Sequence, residues 1–356
     1  MQKYKISRKA LLFWGGNALL LVLALICVFL SHRVTTALPT LNAAKTWAGQ
    51  SGERFAQVAC YLPHEAPVTE DQVFSFRRTI EESFRSSSME APEGGSLYTD
   101  AYSGSCTLSV SGEKGNVTAK ALGVGGDYFR FHPLPLRSGS YLSDADLMKD
   151  RVLLDEALAW KLFGGVDLVG MSVTIQNKSF YVAGVVSREN DRYSVTAGSQ
   201  TEGLFVSYST LKELNEQTGI SCYEIVLPNP ISSYGKNLVQ EKFPLGDGVL
   251  VENSTRYSLT NLFSVIKNFG KRSMGIHGII YPYWENAVRL TEDYAALLLV
   301  LTILFAVCPV VSVLVTAIRF VVRLVRTVTQ KTKEKITADV EKHREKKWQE
   351  TAGKKE

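Results

Sequence analysis

The chain is poor in the residues that usually cluster around chemistry. Among its 356 residues are five histidines and five cysteines. His32, His64, His132, His277 and His343 are scattered, without the short spacings of a metal site. No G-x-x-x-x-G-K-[ST] occurs, so these residues supply no P-loop. No G-x-S-x-G occurs either, which removes the nucleophile elbow of a hydrolase. The close carboxylates Asp144 and Asp146, and Glu292 and Asp293, stand where capping or solvation is their ordinary use. His64 beside Glu65 reads as a surface pair. No catalytic, metal or cofactor site can be assembled, and the expectation is a protein that is not an enzyme.

Acidic residues are missing where the ends of the chain meet apolar sequence. Residues 1–9 carry Lys3, Lys5, Arg8 and Lys9 and no acid, and residues 319–356 carry 12 Lys/Arg against 6 Asp/Glu. The long middle has 24 Lys/Arg against 29 Asp/Glu, so the formal net charge of +5 resides on the ends. A basic patch on a folded domain would point to nucleic acid, and this distribution excludes that partner.

Two long runs without charge are present. Residues 10–30 read ALLFWGGNALLLVLALICVFL, and residues 295–318 read AALLLVLTILFAVCPVVSVLVTAI. Each reaches the roughly 20 residues a helix needs to cross about 30 Å of hydrocarbon. The expected order is a basic cytoplasmic terminus (1–9), a first span (10–30), an extracytoplasmic domain (31–294), a second span (295–318) and a basic cytoplasmic helix or tail (319–356). Both ends are basic and short, which places them inside the cell membrane. A cleaved signal peptide is the alternative for the first run, but that run exceeds an h-region of roughly 7–15 residues and lacks a small-residue cleavage site. Gly15, Gly16 and Asn17 form a small, polar notch suited to helix packing, or to the headgroup layer. Pro309 removes a hydrogen bond in mid-span and is a candidate hinge, or simply a kink.

The middle alternates strand and helix signals, which gives an α+β fold. Residues 54–62 alternate as a half-buried strand. Thr69-Glu-Asp-Gln is a capping box, followed by Val73, Phe76, Ile80 and Phe84 at helical spacing. A loop should follow through residues 86–95. Residues 106–110 and 116–124 read as a hairpin. Residues 151–154 predict a strand and 155–163 a helix stopped by Gly164 and Gly165. Residues 171–176 and 180–186 predict two more strands, and 204–206 another. A helix over 209–216 should be capped by Gly219. Residues 223–227 and 248–252 predict strands around a helix over 234–242. Helical stretches at 259–269 and 284–294 lead back to the membrane. A second subdomain, at about 125–221, is inserted in the first.

Cys27 and Cys308 fall in the spans. Of the others, Cys60 shares a strand face with Val58 and Leu62, and Cys106 with Leu108 and Val110. Both therefore face a core, whereas Cys222 points away from its strand's apolar face. Cys60 and Cys106 are the candidate disulfide, the alternative being two buried thiols.

Residues 123–186 carry an ordered set of short motifs. They are Gly-Val-Gly-Gly-Asp127-Tyr-Phe, Leu136-Arg-Ser-Gly, Leu154-Asp-Glu-Ala-Leu-Ala-Trp-Lys-Leu-Phe-Gly164, Asp167-Leu-Val-Gly and Phe180-Tyr-Val-Ala-Gly-Val. This set resembles the MacB-like periplasmic core domain of ABC transporter permeases and their FtsX-like relatives. The resemblance implies a non-catalytic membrane subunit coupled to a separate ABC-type ATPase. It directs attention to the Asp127-Tyr128-Phe129 turn and the Leu162-Phe163-Gly164 helix end. Relatives resemble four-span proteins and two spans are expected here, so part of the transmembrane pathway is either missing or supplied by another multi-span permease chain. A membrane-tethered adaptor or sensor without transport is the other reading.

Overall fold

The computed structural model describes residues 7–91, 95–272, 275–276 and 278–352. Lys3, Lys5, residues 92–94 of the expected loop and His277 lie outside them, as does the side chain of His343. The described chain divides into two units, one of residues 1–31 with 298–356, the other of residues 32–297.

The elements follow in chain order. Helix α1 (Arg8–Thr35) leads to α2 (Ala43–Ala48), strand β1 (Phe55–Tyr61) and helix α3 (Glu70–Ser86). Next come the long strands β2 (Thr99–Gly112) and β3 (Gly115–Gly126), one turn of helix α4 (Tyr128–Phe131), and strands β4 (Leu136–Gly139) and β5 (Arg151–Asp155). Helix α5 (Glu156–Leu162), strands β6 (Ser172–Ile175) and β7 (Lys178–Val186), helix α6 (Arg192–Thr196), strand β8 (Gly203–Ser207) and helix α7 (Tyr208–Leu214) continue the chain. Strand β9 (Cys222–Pro228), helix α8 (Tyr234–Lys242), strand β10 (Val249–Glu252), helix α9 (Leu259–Asn268) and helix α10 (Tyr283–Ala352) complete it, with a short β11–β12 pairing (Gly275–Ile276 and Ile279–Ile280) before α10.

In the unit of residues 32–297, the strands order as β10-β1-β9-β2-β3-β8-β5-β7-β4, a mixed sheet that makes the domain α+β. β3–β8 and β5–β7 are parallel, and the neighbouring pairs are antiparallel. β6 pairs with both β7 and the far end of β2, where Val110 faces Ile175. The path β2-β3-β8-β5-β7-β6 therefore closes on itself as a small barrel. Closure removes the open edges that short strands otherwise expose. The barrel interior and α5 share one core, with Val110, Val152, Leu158, Leu162, Ile175 and Val206 fully buried. A second core lies under α3 and α8, where Val73, Phe76, Ile80 and Phe84 pack on Val58, Cys60 and Ile225. Residues 125–221 hold β4 to β8, while β9 returns to the other half of the sheet. The β2–β3 hairpin, paired over twelve positions, belongs to both halves.

Local chemistry accounts for the element ends. The capping box at α3 forms as the spacing predicts, with Thr69 and Gln72 each satisfying the other's backbone. Asp155 accepts from the Leu158 N–H and caps α5, and Gly164 (φ +84°) closes it in the left-handed region. The β2–β3 hairpin runs longer than predicted, because residues 99–104 are buried on both faces and carry no alternation to read. The expected Gly219 cap is not made. α7 ends at Leu214, and Gly219 instead packs so close to Pro67 that a Cβ would stand 1.9 Å from its ring. α2, the short α4 and α6, and β4 are too short for periodicity to reveal.

In the other unit, α1 and the apolar part of α10 are each long and apolar enough to cross a membrane. Asn17 is buried there. Its Nδ2 donates to the Phe13 carbonyl (2.9 Å), and its Oδ1 accepts from the Ser312 hydroxyl (3.2 Å). Gly15 and Gly16 meet nothing within 4 Å of an added Cβ, so within this chain only Asn17 of the three makes the helix contact. Helix α10 continues through Pro309 without interruption, and Pro309 is buried, three residues from Ser312.

Candidate functional site

The first turns of α10 carry a cluster of charge that is buried, not solvated. Glu285 is 1% exposed and Arg256, just after β10, is 3% exposed. The Arg256 guanidinium donates to both Glu285 oxygens, at 2.6 and 2.8 Å. The Tyr61 hydroxyl, at the end of β1, donates to Glu285 Oε2 at 2.8 Å. Arg289 Nε stands 3.3 Å from Glu285 Oε1, one helical turn on. Arg256 Nε also lies 3.6 Å from Glu292, which with Asp293 holds Arg272 at 2.6 and 3.5 Å. The Tyr257 and Thr291 hydroxyls are 2.7 Å apart. Residues from β1, the segment after β10, the segment after α9 and three turns of α10 thus meet in one network.

Electrostatics explains why it holds. Burial alone would lower the Arg256 pKa, but the Glu285 and Glu292 carboxylates outweigh it and push the guanidinium up. Burial and the Glu285 charge push the Tyr61 phenol well up, so it stays a donor. A buried carboxylate with three cationic or hydroxyl partners, Arg256, Arg289 and Tyr61, has no equally good arrangement nearby, which fixes α10 against the sheet.

Beside this clamp, Trp284 ties α10 to the motif at the end of β3. Its ring lies 4.6 Å from His132 and 6.1 Å from Tyr128, both buried. His132 Nε2 is 2.5 Å from Glu224 of β9, itself buried. Asp127 accepts from the Thr99 hydroxyl (2.7 Å), and Phe129 stacks on Tyr141 at 4.7 Å. Tyr128 of the Asp127-Tyr128-Phe129 turn is therefore a second contact between the sheet region and α10. Leu162 lies away from it, in the barrel core, where its carbonyl accepts from Lys114.

A cavity of about 500 Å³ opens next to Trp284, lined among others by Leu62, Lys120, Asp155, Arg188 and Phe205. Arg188 donates to both Asp155 oxygens (2.9 and 2.8 Å), and Asp155 also accepts from the Gly203 N–H. Surrounding protein lowers the Lys120 pKa although the side chain is open to solvent in the cavity. Burial raises the Glu189 carboxyl, against a hydrogen bond from Tyr283 on α10. The volume suits a small molecule.

Several sequence expectations change here. Cys60 and Cys106 form no disulfide, and all five cysteines are free. β9 lies between β1 and β2, and Cys60 faces Tyr223, which faces Tyr102, four residues short of Cys106. Two strand spacings and four residues set their Cα atoms on the order of 15 Å apart, against at most about 7 Å for a bridge. Both face apolar cores, but different ones. Glu292 is buried and Asp293 half-buried, and both hold Arg272 instead of capping a helix. Asp144 accepts from the Gly126 N–H, and Asp146 from Ser143. His64 and Glu65 are exposed, with no ion pair between them among the described residues. No group of metal-ligating side chains occurs among the described residues. Sequence reading missed Arg256, Glu285, Tyr61, His132 and Glu224. The available signal was Glu285 and Arg289 one turn apart in a stretch with apolar Trp284, Ala287 and Val288.

Comparison with known proteins gives this geometry a context. A family model described as the MacB-like periplasmic core domain matches residues 39–233, more than half of the chain. No curated protein matches. Solved structures similar to the chain include the periplasmic region of MacB from Actinobacillus actinomycetemcomitans, at 18% identity, covering 62% of this chain and 94% of that one, with a TM-score of 0.43. The extracellular domain of the noncanonic ABC-type transporter YknZ from Gram-positive bacteria is similar at 14% identity, covering 53% and 92%, with a TM-score of 0.37.

Proposed function

This chain belongs to the family of the MacB-like periplasmic core domain, and we propose from that membership that it is a membrane subunit of an ABC-type transporter or FtsX-like mechanotransmission complex. Residues 31–294 face outside and both termini lie in the cytoplasm, a reading supported by the basic ends and the acidic middle. A separate ATPase subunit supplies the energy, and another multi-span permease chain is a candidate partner. The chain's own work is mechanical: α10 passes displacement to the sheet. The observation that carries this reading is the buried Arg256–Glu285–Tyr61 clamp, which ties the helix holding the second apolar run to β1. Pro309 is the proposed hinge of that helix, and Asn17 its packing contact with α1. A second reading, a tethered adaptor or sensor, is favoured by the cavity beside Trp284.

The test is to purify the tagged full chain from cross-linked native membranes. A P-loop ATPase should co-purify, and the partner's ATP turnover should lose its coupling when the clamp carries Arg256→Met. Recovery of the chain without any ATPase, across detergents, overturns the transporter reading.

A further inference from the structure

Helix α9 has an apolar stripe wider than the domain covers. At 100° per residue, Val265, Leu262, Ile266, Leu259 and Phe263 form one continuous arc of about 160°. Leu262 and Val265, on one side of it, are buried. Leu259 and Phe263, on the other side, are 63% and 51% exposed, and Phe269 just beyond the helix is 63% exposed. Thr260, Asn261, Ser264 and Asn268 occupy the opposite, polar face. Lys267 borders the exposed edge of the stripe, and Lys271 follows the helix; both are exposed and paired with no acid among the described residues.

The network described above fixes the level of this helix. Tyr257, before α9, bonds Thr291, and Arg272, after it, bonds Glu292 and Asp293. Both flanks meet the same turn of α10. A ten-residue helix is about 15 Å long. Were it aligned with α10, its flanks would meet turns about that far apart, so it lies across α10. Asp293 precedes the apolar run at Ala295 by two residues, about 3 Å of helix rise. The headgroup layer on one side of a bilayer is roughly 5–8 Å deep, less than the roughly 10 Å diameter of a helix.

We infer that α9 is an interfacial helix that lies on the outer face of the lipid bilayer, with Leu259, Phe263 and Phe269 in the headgroup–acyl boundary. Lys267 and Lys271 then reach up to lipid phosphates, as long basic side chains do at an interface. This inference rests on the membrane reading proposed above. It adds a second membrane contact to the ectodomain, so that tilting α10 would have to lift or press α9 as well.

Tryptophan depth measurements on the full chain in liposomes test it. Phe263→Trp and Leu304→Trp are compared by difference fluorescence with the parent chain, in phospholipids brominated either near the headgroup or deep in the acyl chain. Trp at 304, in the apolar run, should be quenched by deep bromines, and Trp at 263 by shallow bromines with a blue-shifted emission. Quenching at 304 with none at 263 overturns the α9 proposal and leaves the membrane reading intact. Quenching at neither position overturns both. Should Phe263→Trp fail to fold, Phe269→Trp reports the same depth from outside the helix.

Discussion

Removing Arg256 tests whether the clamp holds the ectodomain together. Arg256→Met keeps the apolar length of the side chain and removes the charge. Glu285, 1% exposed, then loses both of its 2.6–2.8 Å bonds from Arg256 and keeps only Arg289 and the Tyr61 hydroxyl. Breaking one side of a buried pair costs about 3–5 kcal/mol, because the remaining charge is left without compensation. For a domain of this size each kcal/mol shifts Tm by roughly 2–4 °C, so the expected loss is roughly 6–20 °C. The assay is thermal unfolding of the purified full chain, followed by intrinsic fluorescence. Arg137→Met is the control, since its 3.1 Å pair with Glu156 is also an arginine–carboxylate contact but largely exposed, where such pairs contribute about 0–1 kcal/mol. Neutralising the orphaned carboxylate in Arg256→Met/Glu285→Gln should recover more than half of the loss. A shift for Arg256→Met no larger than that for Arg137→Met would refute the reasoning, because the burial would then not matter.

Three further outcomes follow from the structure. Intact mass with and without reductant should show no disulfide, and Cys60 and Cys222 should resist maleimide until denaturant is added, because burial pushes both thiols up and shields them; rapid labelling of either in the folded chain would contradict their placement. Glu189→Gln should stabilise the protein at neutral pH and lose that advantage on acidification, as melts across a pH series would show. Its folded carboxyl is raised, so the native state binds the proton more tightly and this group's contribution falls as pH rises from the ordinary glutamate range through the raised value; an equal effect at all pH values would exclude titration as the cause. Gly126→Ala should cost on the order of 2 kcal/mol or more in denaturant melts, because φ is +65° and the new Cβ would meet the Asp100 carbonyl oxygen at 2.4 Å; a neutral result would mean the turn relaxes freely.

Element order was legible where one face is buried and the other wet. The α3 pattern of Val73, Phe76, Ile80 and Phe84 announced both a helix and its core. The hairpin was readable over 106–124 because its outer residues are polar, and unreadable over 99–104, where every residue is buried. The barrel was not legible at all. Its closing contact is two residue pairs between β2 and β6, separated by more than sixty residues, and no local period encodes such a pairing. The disulfide expectation failed for the same reason. Alternation tells which face a cysteine is on, but β9 inserts between β1 and β2 from a hundred residues away. Glu285, Arg289 and Glu292 have the spacing of a charged helix face, which is ordinarily solvated, and nothing local marks them as buried. Only the tertiary arrival of Tyr61, Arg256 and Arg272 makes them a core.

That distinction separates the family motif from the working contact. Leu162, Phe180 and Val182 build the barrel, and a protein with any function on this fold needs them. Tyr128 and Asp127 do the same locally, but Tyr128 also meets Trp284, and so joins the motif to α10. A contact made only of apolar surface could slide, because hydrophobic attraction has no direction. The Glu285 cluster cannot, because moving α10 by one turn past Tyr61 would leave a buried carboxylate and a buried guanidinium unpaired at once. Apolar packing at Trp284 and Val288 therefore supplies adhesion, whereas Arg256, Tyr61 and Glu285 supply register. A helix held in register must carry the sheet with it when it moves, and must unfold its own base if the sheet is held still. The residues that decide between those outcomes are the ones whose loss should leave the fold recognisable and the coupling broken: Tyr61→Phe deletes one donor to Glu285 and keeps the ring's 5.2 Å packing on Tyr281. It should reduce stability by about 1.5–3 kcal/mol, leave the cores of α3 and the barrel intact by hydrogen exchange, and raise exchange selectively in residues 283–293; uniform exchange through the whole domain would show that register and fold are not separable here.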